Sequence, residues 1–396
     1  MLFLPAFARP LLLAASALGS AALLAVTGLA GASTPGGAGG SYSASELGIE
    51  VSRPVTGRPA RDVAGVRPAE GRAPVHADGV PPAVPPTTAP EGTFITPGER
   101  LGIAGCPLFP RDHAFHASIG RLPVHPRSDA MVAAAGGSSV HLDAGFSARP
   151  WQGARAGIPV NLADSRTSQL VEVIAGTGAA ASDPGPHPVP AAPRFEGWPS
   201  IRWDKHLLVV DPATCTSHEM IGVTPPGANL LGLWMAEKVV RVDLRSNAYR
   251  PGGTVKVSGV SLLAGMVRYD EVASGDVDHV VGMSIPNARA GAPVWPARAS
   301  DGTNPDPDAP PMGTWLRLRD DVDLSALGPQ ARVIAQALRD HGAVITDTGG
   351  RWVLNGEPDV RWDDRDLNTL RTLTFADFEV VDPSPMVVDR GSLRIR

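Results

Sequence analysis

The chain has 396 residues, a formal net charge of −5 and only 19% charged residues. That balance, without a basic stripe, excludes nucleic acid as a partner and gives no electrostatic drive toward an anionic surface. Forty prolines and 44 glycines point to long loops on a sheet scaffold, where binding residues usually sit.

The N-terminus carries one cation, Arg9, ahead of an uncharged run from Leu11 to Ala30 and a small-residue triplet, Ala30-Gly31-Ala32. This is the pattern of a secretory signal over residues 1–32. The competing reading is a membrane anchor through residues 11–30, since twenty uncharged residues can span a bilayer. Once the signal is cleaved, no later stretch predicts a membrane span. Residues 33–100 hold eleven prolines and only two aromatics, Tyr42 and Phe94. That composition offers too little apolar surface to offset ordering entropy, so a disordered linker is expected. A single globular domain is expected over 101–396. Export also bears on Cys106 and Cys215, the only cysteines: in an oxidising compartment a disulfide between them is expected, against two buried thiols.

Within the domain, short apolar or alternating runs bounded by turn formers predict strands at 158–164, 169–176, 206–211, 238–244, 279–285 and 314–320. In "TWLRLRD", alternation sets Trp315 and Arg317 on one face and Leu316 and Leu318 on the other. Helical spacing appears in "GPQARVIAQALRDHG", with Pro329 in the first turn and Gly342 as C-terminal cap. A second helix follows Asp363 or Asp364, carrying Leu367, Leu370 and Leu373. Residues 343–356 read as a hairpin and 378–382 as a closing strand. The predicted fold is mainly β, sandwich or jelly-roll-like, with an α+β C-terminal part.

The blocks "DLRSNAYRP" (243–251), "RYDEV" (268–272), "VWPAR" (294–298), "PPMG" (310–313) and "GEPDVRWDD" (356–364), in this order, resemble a family of secreted bacterial proteins to which no activity is attached. Two departures stand out. Ala299 occupies a position where the family pattern has histidine, and Gly253-Thr254-Val255 stands near its Trp-Thr-Ser. If those positions serve catalysis or binding, the resemblance implies a weakened member.

Candidate chemistry centres on Arg268-Tyr269-Asp270-Glu271. Read as a strand, Asp270 and Glu271 point to opposite faces, so either needs a carboxylate partner from elsewhere, such as Asp243. Carboxylate pairs carry most glycoside hydrolysis, with Arg268 and Arg298 orienting substrate and Tyr269 and Trp295 stacking on it. The plainer reading is a structural Arg268–Asp270 ion pair on a strand edge, and core packing is the ordinary fate of tryptophan. Metal chemistry is not supported: "HAFH" (113–116) has ligand-like spacing but no completing motif, and the acidic loop 301–310 lacks EF-hand spacing. No cofactor motif is present. Two functions follow as expectations: a secreted enzyme acting on an extracellular or cell-wall polysaccharide, with Asp270, Glu271 and Asp243 as acid–base residues, or a non-catalytic glycan-binding or envelope-associated module.

Overall fold

The structure, a computed structural model, describes residues 102–200 and 203–396. The predicted signal and linker lie outside the described residues. Among the described residues no helix is long and apolar enough to cross a membrane.

Strands dominate. The first nine are β1 (Gly102–Ile103), β2 (Cys106–Pro107), β3 (Asp143–Ala144), β4 (Pro150–Trp151), β5 (Ala154–Arg155), β6 (Val160–Leu162), β7 (Gln169–Val171), β8 (Val173–Ala175) and β9 (His187–Val189). The next four are β10 (Leu207–Asp211), β11 (Thr216–Ile221), β12 (Trp234–Ala236) and β13 (Lys238–Asp243). The last five are β14 (Val281–Ile285), β15 (Trp315–Leu318), β16 (Ala343–Thr348), β17 (Val353–Leu354) and β18 (Phe378–Val381). The α-helices are α1 (Ser128–Ala134), α2 (Tyr269–Ser274), α3 (Pro329–Asp340) and α4 (Asp364–Leu367).

Two sheets organise these elements. One has the order β13-β11-β10-β6, the other β18-β15-β16-β14-β17-β3. Strand alternation distributes their side chains among three cores. Leu208 and Val210 of β10 enter a core shared with Trp315, Val344 and Val381 of the six-stranded sheet. Leu207 and Val209, one residue out of phase, enter a separate core with Met220 and Val239. The other face of the six-stranded sheet presents Leu316, Leu318, Met283 and Ile345 to Ile334 and Leu338 of α3. The mainly β prediction holds, with helices concentrated on one face of the larger sheet.

The strands expected at 206–211, 238–244, 279–285 and 314–320 form, as do those around 160, 170 and 174. Helix α3 begins at Pro329, as the first-turn proline predicts. Asp363 caps α4, its side chain accepting from the backbone N–H groups of Arg365 and Asp366. The expected hairpin at 343–356 does not close. Strands β16 and β17 lie on opposite sides of β14, the first parallel to it and the second antiparallel. Strand β14 takes the place between them because Val281, Met283 and Ile285 feed the same core as Ile345 and Leu354.

One feature departs from ordinary loop behaviour. Residues 254–267 contain no regular element, yet all but Val257 are buried. Such a segment must satisfy its own backbone groups. It does so partly by lying against β14, where Gly282 N–H donates to Gly265 O at 2.8 Å. Gly265 has φ +77°, and a Cβ there would meet Gly282 N at 2.3 Å. Only glycine permits that approach.

Cys106 and Cys215 form the expected disulfide, with Cα atoms 5.3 Å apart and a sequence separation of 109. It ties the segment around β1 and β2 to the β10–β11 turn. Closing a loop of that length stabilises by roughly 4–5 kcal/mol in the chain-entropy model. Paired Cys106→Ser and Cys215→Ser substitutions are expected to lower the unfolding free energy by about that amount in urea titration. A loss below roughly 1 kcal/mol would contradict the constraint.

Candidate functional site

One pocket among the described residues has a volume of about 420 Å³. Its apolar wall comes from Ile103 of β1, Val160 and Leu162 of the edge strand β6, and Pro190. Its charged rim comes from Arg194, Arg268, Asp270 and Glu357. Strand β6 is the outer strand of the four-stranded sheet, and Val160 and Leu162, two residues apart, share one of its faces.

The rim is set by the start of α2. Residues 268–271 are not a strand edge: Tyr269–Ser274 is helical, with Arg268 as N-cap. Glu271, three residues on, accepts the Arg268 backbone N–H through Oε2 at 3.0 Å, as in the acidic half of a capping box. Its Oε1 accepts from Arg268 Nε at 3.0 Å and from Nη2. His279 Nε2 lies 3.4 Å from Glu271 Oε2, while His279 Nδ1 donates to Val280 O at 2.9 Å. Both imidazole nitrogens face acceptors, an arrangement that favours the protonated ring. Burial alone would raise the Glu271 carboxyl, but His279 and Arg268 outweigh it and hold its pKa at about 2. Burial disfavours the His279 cation, yet Glu271 raises its pKa overall.

Glu357 is the opposite case. It lies in the loop after β17, and its Oε1 accepts the Tyr269 N–H at 3.0 Å. Burial raises its pKa, against that hydrogen bond and Arg268 and with help from Asp359 and Glu271. Asp270 is the residue after Tyr269, so chain geometry keeps the Glu357 and Asp270 carboxyls within about 11 Å. Asp270 is exposed and pairs with Arg361 Nη1 at 2.7 Å.

The other expected site residues fall elsewhere. Glu271 does not line the pocket, because its oxygens are taken by Arg268 and His279. Asp243 ends β13, the far strand of the four-stranded sheet from β6. Three strand spacings separate it from β6, about 14 Å, it does not line the pocket, and its Oδ1 accepts from Arg245 N–H at 2.9 Å. Trp295 is 5% exposed; it stacks on Trp315 with centroids 5.8 Å apart and donates to Ser392 O at 2.9 Å. Its proline-flanked surroundings pack as core, so it has no face for a ligand. Tyr269 is half-buried, with Arg361 over its ring at 4.1 Å and Trp362 at its edge. Arg298 stacks on Tyr249 and donates to Arg390 O at 3.2 Å. Ala299 is exposed beside it, and neither lines the pocket. Only Arg268 and Asp270 of the expected set come together there. Glu357 was missed, although it sits inside the "GEPDVRWDD" block.

His113 and His116 are both buried. His113 Nδ1 accepts Phe115 N–H, and His116 Nε2 lies 2.6 Å from Leu108 O. Among the described residues no group of three or more His, Cys, Asp or Glu is arranged to hold a metal.

No family model, curated protein or solved structure matches the chain.

A second cluster of ionisable groups lies in the interior. Glu219 of β11 is fully buried, with Oε1 accepting from Ser217 Oγ, Ser261 Oγ and Leu262 N–H. Burial raises its pKa. Lys256, in the buried segment, finds no hydrogen-bond partner for Nζ among the described residues. Burial lowers its pKa to about 8, against Asp347 and Glu219. Between about 8 and 10.5 the unfolded chain therefore binds more protons at this lysine than the folded one, and stability rises with pH. Lys256→Met removes that linkage. The variant is expected to exceed the parent by on the order of 3 kcal/mol below pH 8, and the gap should close toward pH 10.5 in paired urea titrations. A gap that stays constant with pH would contradict the assignment.

Proposed function

We propose that the protein is a secreted enzyme acting on an extracellular or cell-wall polysaccharide, with Glu357 as general acid and Asp270 as general base. One observation carries this reading. A single pocket holds a carboxyl pushed upward by burial and a second, solvent-facing carboxylate no more than about 11 Å away. Glycoside hydrolysis uses two carboxyls about 5–10 Å apart, one of which keeps its proton at working pH. Glu357 would donate that proton to the glycosidic oxygen. Asp270, released from Arg361, would take a proton from the attacking water or stabilise the sugar cation. Arg194 offers N–H donors to hydroxyls, and Ile103, Val160 and Leu162 supply an apolar wall for the C–H face of a ring. The disulfide supports an oxidising compartment, in keeping with the export signal read from the sequence.

A glycan-binding module without turnover is the second reading. It is favoured by Arg361, which occupies the Asp270 carboxylate, and by Trp151 and Trp198, whose indoles are 43% and 44% exposed.

The test is reducing-end release together with depletion binding on a panel of soluble and cell-wall polysaccharides. Release is expected, with Glu357→Gln and Asp270→Asn each lowering kcat at least about 100-fold and Asp243→Asn leaving it unchanged. Binding without release selects the second reading. Neither binding nor release removes both.

A further inference from the structure

Residues 224–236 read Thr-Pro-Pro-Gly-Ala-Asn-Leu-Leu-Gly-Leu-Trp-Met-Ala, with no ionisable side chain. The segment passes through a single 3-10 turn at Pro226–Ala228 and enters β12 at Trp234. Leu230 is fully exposed at 106%, Leu231 is 67% exposed and Leu233 44%. Single exposed leucines are ordinary, but three within four positions on one loop mark a surface meant to leave water.

Part of the loop's backbone is satisfied from within, by the side chain of Asn229. Asn229 Oδ1 accepts the N–H groups of Leu231 and Leu233 at 3.1 and 3.3 Å. Its Nδ2 donates to Pro225 O at 2.9 Å and Leu233 O at 2.7 Å. Ala228 N–H adds a bond to Pro225 O at 2.9 Å. Moving backbone polar groups out of water is costly where they lack internal partners, and the Asn229 side chain supplies a partner to the N–H groups of Leu231 and Leu233 and to the carbonyls of Pro225 and Leu233. At the foot of the loop, Trp234 and Trp198 flank Phe195 with ring centroids 6.1 and 6.0 Å away. Indoles favour the boundary between acyl chains and headgroups.

We infer that this loop inserts into a lipid bilayer, with Leu230 and Leu231 entering the acyl region and Trp234 and Trp198 at the interface. A protein partner would need polar groups to set its register, and the one polar side chain between Gly227 and Trp234, Asn229, is consumed inside the loop. A bilayer needs none. The sequence also places a membrane in the chain's path, since residues 11–30 read as an export signal or anchor. Because the loop carries no charge, insertion depends on neither anionic lipid nor salt.

The test uses the full chain with Leu230→Cys, the sole free thiol beside the disulfide, carrying a nitroxide. Ala326→Cys, in the exposed loop before α3, serves as control. With phosphatidylcholine vesicles, collision of the Leu230 probe with a nickel complex should fall several-fold while collision with oxygen rises, and the Ala326 probe should not change. The response should be the same when anionic lipid or salt is added. A Leu230 probe that stays nickel-accessible on vesicles overturns the inference, whether or not other segments bind them. So does protection that appears without vesicles and grows with protein concentration, which would mean a second copy covers the loop.

Discussion

The Glu271 carboxylate holds the pocket rim together. It sits largely inside the protein between the Arg268 guanidinium and the His279 imidazolium, and a buried charge is tolerated only when its partners are complete. That clamp fixes the first turn of α2. From the turn follow the outward position of Asp270, the hydrogen bond from Tyr269 N–H to Glu357, and the contact from Arg268 Nη1 to Gly102 O at 3.2 Å. The last of these joins the clamp to the segment that the Cys106–Cys215 disulfide anchors. Loss of either cation would leave a buried anion uncompensated and loosen every rim residue at once.

The same clamp separates two nearby glutamates electrostatically. Glu271 has cations on both oxygens and is drawn down to about 2, while Glu357 has one backbone N–H and acidic neighbours and is pushed up by burial. Glu271 serves as the fixed anion of the rim and does not line the pocket, so the acid–base pair proposed there is Glu357 with Asp270. The fold supplies this separation through position alone: Glu271 faces His279 from within the helix turn, and Glu357 approaches from the loop beyond β17.

Much of the scaffold was legible because strands covered on both faces read as short, continuous apolar runs. Leu207 and Val209 enter one core and Leu208 and Val210 another, so the run is simply apolar and bounded by turns. The helix at Pro329 and the disulfide were legible for equally local reasons. Pairing was not: nothing in 343–356 states that β14, some 60 residues upstream, comes between β16 and β17. The helix at Tyr269 was hidden because its N-cap is an arginine, outside the usual Ser, Thr, Asp or Asn, and the capping comes from Glu271. Trp295 looked loop-like beside proline and arginine, whereas its burial depends on Trp315 and on Ser392 in the C-terminal tail. Glu357 gained its character from a backbone N–H 88 residues away in sequence, a contact no local pattern encodes. Lys256 was overlooked for a related reason, since a glycine-flanked irregular stretch reads as surface.

Carboxyl-carbon NMR titration of the protein, with Glu357→Gln to assign the resonance, tests the electrostatic separation most directly. Glu357 is expected to titrate above the ordinary glutamate value of 4.5 while another glutamate, Glu271, titrates near 2. A Glu357 midpoint at or below 4.5 would contradict it.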